Sequence, residues 1–535
     1  MSTGKPQTMS WRTRTPRRPP MSLRRLSHLR LTSLLSGAVA HPSAGPEAIA
    51  TAGSLLRACL PPRVLTALLK DVTSSPGHAA DPGLAVSLLR LNITADVTDL
   101  EIRGQEGEAT YLLERKCEVL MEEVQAMEEL RLETLQLEGV SLKPGLLSCI
   151  LKRAPCLRSL QVSGALAEEA LGHLKSNTCG LHSLHLHSCS VTDEEVVSAL
   201  VQPHMTLSDM AEVIWSGEGM AKSGRVRASS LRRVTIISPS LSLGGAMVLL
   251  RTLPHLQDLH YTWLVPVCES IRLLQQLCPA VTSYAISHLD LSLVSTDVLT
   301  GLPTLCPGLR SLQIEGFDSN VVHLDALAEF TNLTSLSLRL VPEPFIVSAV
   351  RAVGHNLLKL RIEYEECVFK LFSFAALKTL QEYCRELRSL ELVNVCLAGE
   401  PQPRPPSKSR SIAFPELTRL VVAGAASSPG VLAGLMSGNR SLEHLSLDVN
   451  QDVLTDHVVQ TLLAHNDLHR LTSLHLGAGS LSPPTLTDLL TLPALTTFTM
   501  DLNNFRLIPE ATFITLQEDL RRGNCLCRLE RSAVE

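Results

Sequence analysis

The sequence predicts an α/β protein, a solenoid of strand–turn–helix units with parallel strands on a concave face and helices on a convex one. Three observations lead there. The pattern L-x-x-L-x-L begins most clearly at Leu132, Leu157, Leu181, Leu309, Leu333, Leu387, Leu442 and Leu471, and more weakly at Val97, Leu231, Leu256, Ile286, Leu357, Leu417 and Leu495. Most of these fifteen starts lie 23 to 25 residues apart and others 29 or 30, room for one strand, one turn and one short helix. Apolar and polar residues alternate inside each copy, as a strand with one buried face requires. The segments that follow, such as VTDEEVVSALV from Val191 and VLTDHVVQTLL from Val453, carry apolar residues at helical spacing behind a Thr-Asp pair suited to capping a helix.

A unit of this kind cannot bury its apolar face alone, so neighbours must stack. The array is expected over residues 95–505, with a basic, disordered tail at 1–46, a small helical N-terminal cap at 47–94 and a C-terminal cap at 506–535. The tail holds one Lys and seven Arg with no acid; a weak signal peptide or a mitochondrial presequence are its other readings. The long step from Leu181 to Leu231 implies either an insertion or a degenerate repeat, and the Pro-rich stretch Glu400 to Ser411 reads as an exposed loop.

Composition narrows the function. With 3% aromatic residues, a net charge of -5 and charges of mixed sign beyond the tail, no basic stripe is present to hold nucleic acid, and none is expected as a partner. No apolar run approaches the roughly 18 residues of a membrane helix. The fourteen cysteines are spread along the chain, several just before strands (Cys156, Cys179, Cys278, Cys306), which argues for reduced, buried thiols and a cytoplasmic or nuclear setting. Phosphate-loop, nucleophile-elbow and zinc-helix motifs are all missing, so neither an enzyme nor a cofactor is expected.

The stretch LHSLHLHSCSVTDEEVVSAL, with Cys189 and Val191-Thr192-Asp193 after its strand, resembles the cysteine-containing leucine-rich repeats of F-box adaptor proteins. The Leu-Cys-Pro steps at Leu277 to Pro279 and Leu305 to Pro307 resemble them too. The resemblance covers roughly residues 95–505. It implies a horseshoe-shaped leucine-rich-repeat solenoid that binds protein, as a substrate-recognition subunit of a cullin-RING ubiquitin ligase does.

The segment ahead of the array is similar to two adaptor elements. Leu60-Pro61, followed by Val64, Leu65 and Leu68, looks like the opening of an F-box and implies docking on the F-box linker of a cullin ligase. Ser54, Leu55 and Cys59 look like the elongin-recruiting helix of leucine-rich-repeat receptors. The Ser/Pro/Gly-rich stretch from Thr73 to Gly83, with no Trp nearby, departs from the first; Arg63 and the Pro61-Pro62 pair depart from the second; a plain cap over the first repeat is the other reading. Two other functional classes are the alternatives: ribonuclease-inhibitor-type regulators, which favour an Asn-rich, strictly 28- or 29-residue alternation that this chain lacks, and extracellular recognition modules, which would need a cleaved N-terminus and disulfide caps.

The third, fifth and seventh residues of each copy are expected on the concave surface, where a protein target would lie. The candidates are Ser183, His185, His187, His260, Gln313, Glu315, Arg339, Lys359, Arg361, Glu363, Glu391, His444, Asp448 and His475. The third position is Ser or Thr in eight of the fifteen copies. His182 and His185 face opposite ways on a strand, which leaves His185 and His187 without a third ligand, so no metal is expected.

Overall fold

Each of the fifteen copies forms a strand, and each strand begins at the third residue of its copy. The computed structural model describes residues 97–103, 124, 526–528 and most of 127–500, the longest stretches left out of that span being 217–227 and 399–413. Two compact units divide between Val341 and Pro342.

The first unit contains β1 (Asp99–Arg103), β2 (Thr134–Glu138), β3 (Ser159–Ser163), β4 (Ser183–His187), β5 (Arg233–Ile236), β6 (Asp258–Tyr261), β7 (His288–Val294), β8 (Ser311–Phe317) and β9 (Ser335–Arg339). Each is parallel to the next in chain order. Its helices are α1 (Leu146–Arg153), α2 (Ala165–Ser176), α3 (Asp193–Leu200), α4 (Leu207–Ser216), α5 (Leu243–Thr252), α6 (Val267–Leu277) and α7 (Thr296–Leu305). The second unit has β10 (Lys359–Glu363), β11 (Lys370–Ser373), β12 (Ser389–Val393), β13 (Val395–Ala398), β14 (Arg419–Ala425), β15 (His444–Val449), β16 (Ser473–Leu476), β17 (Thr497–Met500) and β18 (Leu526–Arg528). Its main ladder runs β10-β12-β14-β15-β16-β17-β18, again parallel, beside α8 (Glu343–Val353), α9 (Phe374–Tyr383), α10 (Pro429–Met436), α11 (Asp456–His465) and α12 (Pro483–Leu490).

The leucines of the pattern make the core. In the copy from Leu132 the first, fourth and sixth positions, Leu132, Leu135 and Leu137, are buried, and the same holds for Leu387, Leu390 and Leu392. Burying such a side chain stabilises by about 2 kcal/mol, so the stacked rows of leucine supply the cohesion that no single unit has. Each ladder opens in the same way. Two successive amides of one repeat donate to a single carbonyl of the repeat before it, as Arg158 and Ser159 do to Glu133, and Thr418 and Arg419 to Arg388. Where the second position is Thr, as at Thr418, Thr472 and Thr496, its hydroxyl joins them on that carbonyl. This is the leucine-rich-repeat architecture that the sequence predicts.

The backbone bends after the seventh residue of many copies. That corner is a left-handed residue in many copies: Gly139, Gly164, Gly316 and Gly424, but also Ser188, Leu340 and Asn394, with φ between 49° and 65°. Glycine has no Cβ to strain there. At Gly424 a side chain would also overlap the Asn394 carboxamide, whose amide donates in turn to the Tyr364 carbonyl at 2.9 Å.

The helices are tied from repeat to repeat by carboxylates. Thr192 caps α3 in a reciprocal capping box with Glu195, so Glu195 is engaged at the helix start in addition to lying on its surface. The Asp of the same Thr-Asp pair turns to the next repeat: Asp193 accepts from the amide and hydroxyl of Ser242, the cap of α5, and from the Tyr261 hydroxyl at 2.7 Å. Glu343 accepts likewise from both groups of Ser373, the cap of α9, at 2.7 Å each. Asp456 takes the Ser482 amide ahead of α12 at 2.8 Å. Each acid thus satisfies an amide at the start of its neighbour's helix, where free N–H groups need partners.

The step from Leu181 to Leu231 is an insertion. β4 and β5 are direct ladder partners, Ser183 opposite Arg233, so no repeat strand stands between them and the added length includes the extra helix α4. The two 30-residue steps after Leu357 carry another addition, a two-stranded parallel sheet of β11 and β13.

Among the described cysteines, Cys189, Cys268, Cys306 and Cys384 are buried free thiols, Cys149 and Cys396 are partly covered, and Cys156 is exposed. The expectation of buried thiols therefore fails at Cys156, which sits in the turn before β3 rather than under it. Burial pushes Cys268 up to about 11, and Cys306 and Cys384 up to about 12, leaving them neutral and unreactive. Asn439 is fully buried: it accepts from the Phe414 amide and donates to the Leu435 carbonyl. Buried and bonded in this way, the Asn439 carboxamide is not placed to accept a sugar, although it opens an Asn-x-Ser triplet.

Candidate protein-binding face

Alternation turns the third, fifth and seventh side chains of the copies away from the helices, onto an open face. In the first unit, Ser183, His185, His187, His260, Gln313, Glu315 and Arg339 all fall in these positions. Ser183 is nevertheless buried, 5% exposed, since its hydroxyl lies 2.8 Å from His185 Nε2. The His185 and His187 rings stack with centroids 6.4 Å apart. Burial, then His187 and Arg233, lower the pKa of His185 and favour its neutral form.

Two strands on, His260 Nδ1 lies 3.4 Å from an Asp290 carboxylate oxygen. The bond to Asp290 raises the His260 pKa against the opposing effect of burial. Beside it Asp258, opposite His288 in the ladder, is raised chiefly by burial. A raised imidazole pKa contributes stability that is fully present below the ordinary value near 6.5. That contribution is lost as pH rises through the folded value. Asp290→Asn is therefore expected to move the His260 titration midpoint downward, as followed by NMR of the ring proton; an unchanged midpoint would show the pair to be inert. Glu315 and Arg339 are ladder partners joined at 3.1 Å.

In the second unit, charges link across strands. Arg361 reaches Glu363 at 2.7 Å on its own strand and Glu391 at 3.0 Å on β12, and Glu391 also holds Arg419 of β14 at 3.2 Å. Exposed pairs of this kind stabilise by only about 0–1 kcal/mol each; their effect is to hold two guanidinium groups in place. Lys359, His444 and Asp448 are exposed, and His475 lies partly covered on β16. The structure thus groups Lys359, Arg361, Glu363 and Glu391 closely, whereas His444, Asp448 and His475 lie further along the row. Arg233, Asp290 and Arg419 join the face in addition to the expected residues. Their copies begin at Leu231, Ile286 and Leu417, and third or fifth position in a weaker copy is the signal that finds them.

Among the described residues no group of three or more His, Cys, Asp or Glu is placed to hold a metal ion, and no helix is long and apolar enough to cross a membrane. The adaptor candidates Leu55, Cys59, Leu60, Pro61, Val64, Leu65 and Leu68, the cap at 47–94 and the loop at 400–411 lie outside the described residues.

No family model matches the chain and no curated protein matches it. Among solved structures it is similar to a chain in the crystal structure of the Rad7 and Elc1 complex in yeast, at 14% identity and a TM-score of 0.39, over 90% of this chain and 94% of that one. At that score the likeness adds nothing to what the strands and leucine rows themselves establish.

Proposed function

We propose that the chain is a non-catalytic scaffold, cytoplasmic or nuclear, that binds a protein partner on the open faces of its strand rows. The observation that carries this reading is the face itself: parallel strands in register present polar side chains at alternate positions, over a leucine core that fixes their spacing. A rigid polar surface of this kind binds without paying to order itself.

The finer proposal is that the scaffold serves as a substrate receptor of a cullin-RING ubiquitin ligase, with residues 54–70 recruiting the ligase through its F-box linker or through elongin. Its support is the similarity of Leu60-Pro61 and of Ser54, Leu55 and Cys59 to those two elements. The test is affinity purification of the full chain beside two variants, read by mass spectrometry: Leu60→Asp with Leu65→Asp, and His185→Glu with Gln313→Arg. Cullin with either linker, recovered with the parent and lost only with the first variant, is the result expected of a receptor. A separate protein lost only with the second variant is the expected target. Recovery unaffected by the second variant would remove the first unit's open face as the binding surface.

A further inference from the structure

The open face of the second unit is electrically polarised along its strands, from amino to carboxyl ends. The ladder register aligns Lys359, Ser389, Arg419 and His444 in one row at the amino-terminal ends of β10, β12, β14 and β15. That row contains two fixed cations, an imidazole and no acid. At the other ends of the same strands the register aligns Glu363, Val393, Ala423 and Asp448, a row with two acids and no base. Between them Glu391 takes Arg361 and Arg419 together, so the acid nearest the basic row is already spent. Lys359 is exposed and has no ion pair among the described residues, and the side chain of Arg419 is half exposed even with Glu391 in place.

Ladder neighbours are about 4.8 Å apart. Lys359 and Arg419 are two steps apart, or about 10 Å, and His444 is one step further, at about 14 Å. Residues i and i+7 on one face of an α-helix are separated by about 10.5 Å, and i and i+10 by about 15 Å. We infer that the Lys359–Arg419–His444 row docks an α-helix of the protein partner that lies across the strands and carries acidic side chains at i, i+7 and i+10. Glu391 prepares the site by holding the Arg419 guanidinium in place, so less side-chain freedom is lost on binding. The acidic row at the far ends of the strands repels the same acidic side chains, and this confines the helix to the amino-terminal ends of the strands.

The inference rests on the scaffold reading of the open face, and its test is independent of partner capture. The full chain is incubated with an alanine-rich helical peptide bearing Glu at i, i+7 and i+10, then treated with a zero-length carbodiimide cross-linker. Peptide mapping locates amide bonds between probe carboxylates and lysines. A control peptide of the same composition carries its three Glu in succession. The expected result is a bond at Lys359 that is about fivefold more abundant with the spaced probe than with the control, and reduced by about the same factor in Arg419→Gln. Equal yields from the two peptides, indifference to Arg419→Gln, or bonds at other lysines only would overturn the inference. If partner capture is intact in that event, the acidic-helix match alone is rejected and the scaffold reading stands.

Discussion

Replacing Asp193 with alanine is expected to destabilise the unit that ends at Val341 by about 3 kcal/mol. Asp193 is 9% exposed, and its carboxylate is the acceptor for three donors, the Ser242 amide and hydroxyl and the Tyr261 hydroxyl. Tyr261 is itself 1% exposed. Its phenol is held well above the ordinary pKa, by burial first and by the neighbouring carboxylate second, so it remains a neutral donor that needs this acceptor. Truncating Asp193 strands those donors in the interior, whereas Tyr261→Phe removes one donor and should cost only about 1 kcal/mol. Gly245 belongs to the same arrangement: a Cβ there would overlap both Asp193 Oδ1 and the Tyr261 hydroxyl, and Gly245→Ala should perturb the unit in the same way. Urea unfolding followed by circular dichroism measures all three. A loss below about 0.5 kcal/mol for Asp193→Ala, the range of an ordinary surface change, would show that the network does not hold these repeats together.

The second large effect is expected in the small sheet of β11 and β13. Phe372 and Leu371 are consecutive on β11, yet Phe372 is 0% exposed and Leu371 is 68% exposed, because successive strand residues point to opposite faces. Phe372→Ala should cost about 4 kcal/mol through lost burial and the cavity left behind. Leu371→Ala should stay within about 0.5 kcal/mol. Equal losses for the pair in unfolding measurements would mean that the side sheet does not pack as described, and equal neutrality would mean that it is dispensable to the unit.

These two sites also mark where the sequence stops being legible. The strands follow from it because a leucine row has a local signature: three apolar positions recur at fixed spacing, and the third residue of each copy opens the strand without exception. β11 has no such signature. Lys370–Ser373 runs straight into α9, and its apolar residues read as part of the helical pattern that follows. β18 is only three residues long, too short to show any period. The Asp193 network is illegible for a different reason. A Thr-Asp pair announces a helix start, and Thr192 does cap α3, but the partners of the aspartate are 49 and 68 residues away, across an insertion whose length no local pattern fixes.

The binding face shows the same division. Positions facing away from the helices can be counted from the pattern, and this puts Glu315, Arg339, Arg361 and Glu391 on the open face; their pairing is a property of the ladder register. Which of them are covered depends on side-chain packing, and Ser183, tucked against His185, is the example. The corners divide similarly: Gly139, Gly164, Gly316 and Gly424 advertise a left-handed turn, while Ser188 and Leu340 adopt it without the residue that favours it.

The direct pairing of β4 with β5 has a consequence for measuring the molecule. Fifty residues of chain separate Ser183 from Arg233, and twenty-four separate Ser159 from Ser183, yet both pairs are adjacent rungs. The sheet is therefore a ruler graduated in repeats, whose divisions of about 4.8 Å are indifferent to how much chain is looped out between them. Distances across the open face follow from counting rungs, never residues, and chain added on the helical side lengthens the sequence without moving a mark on the scale.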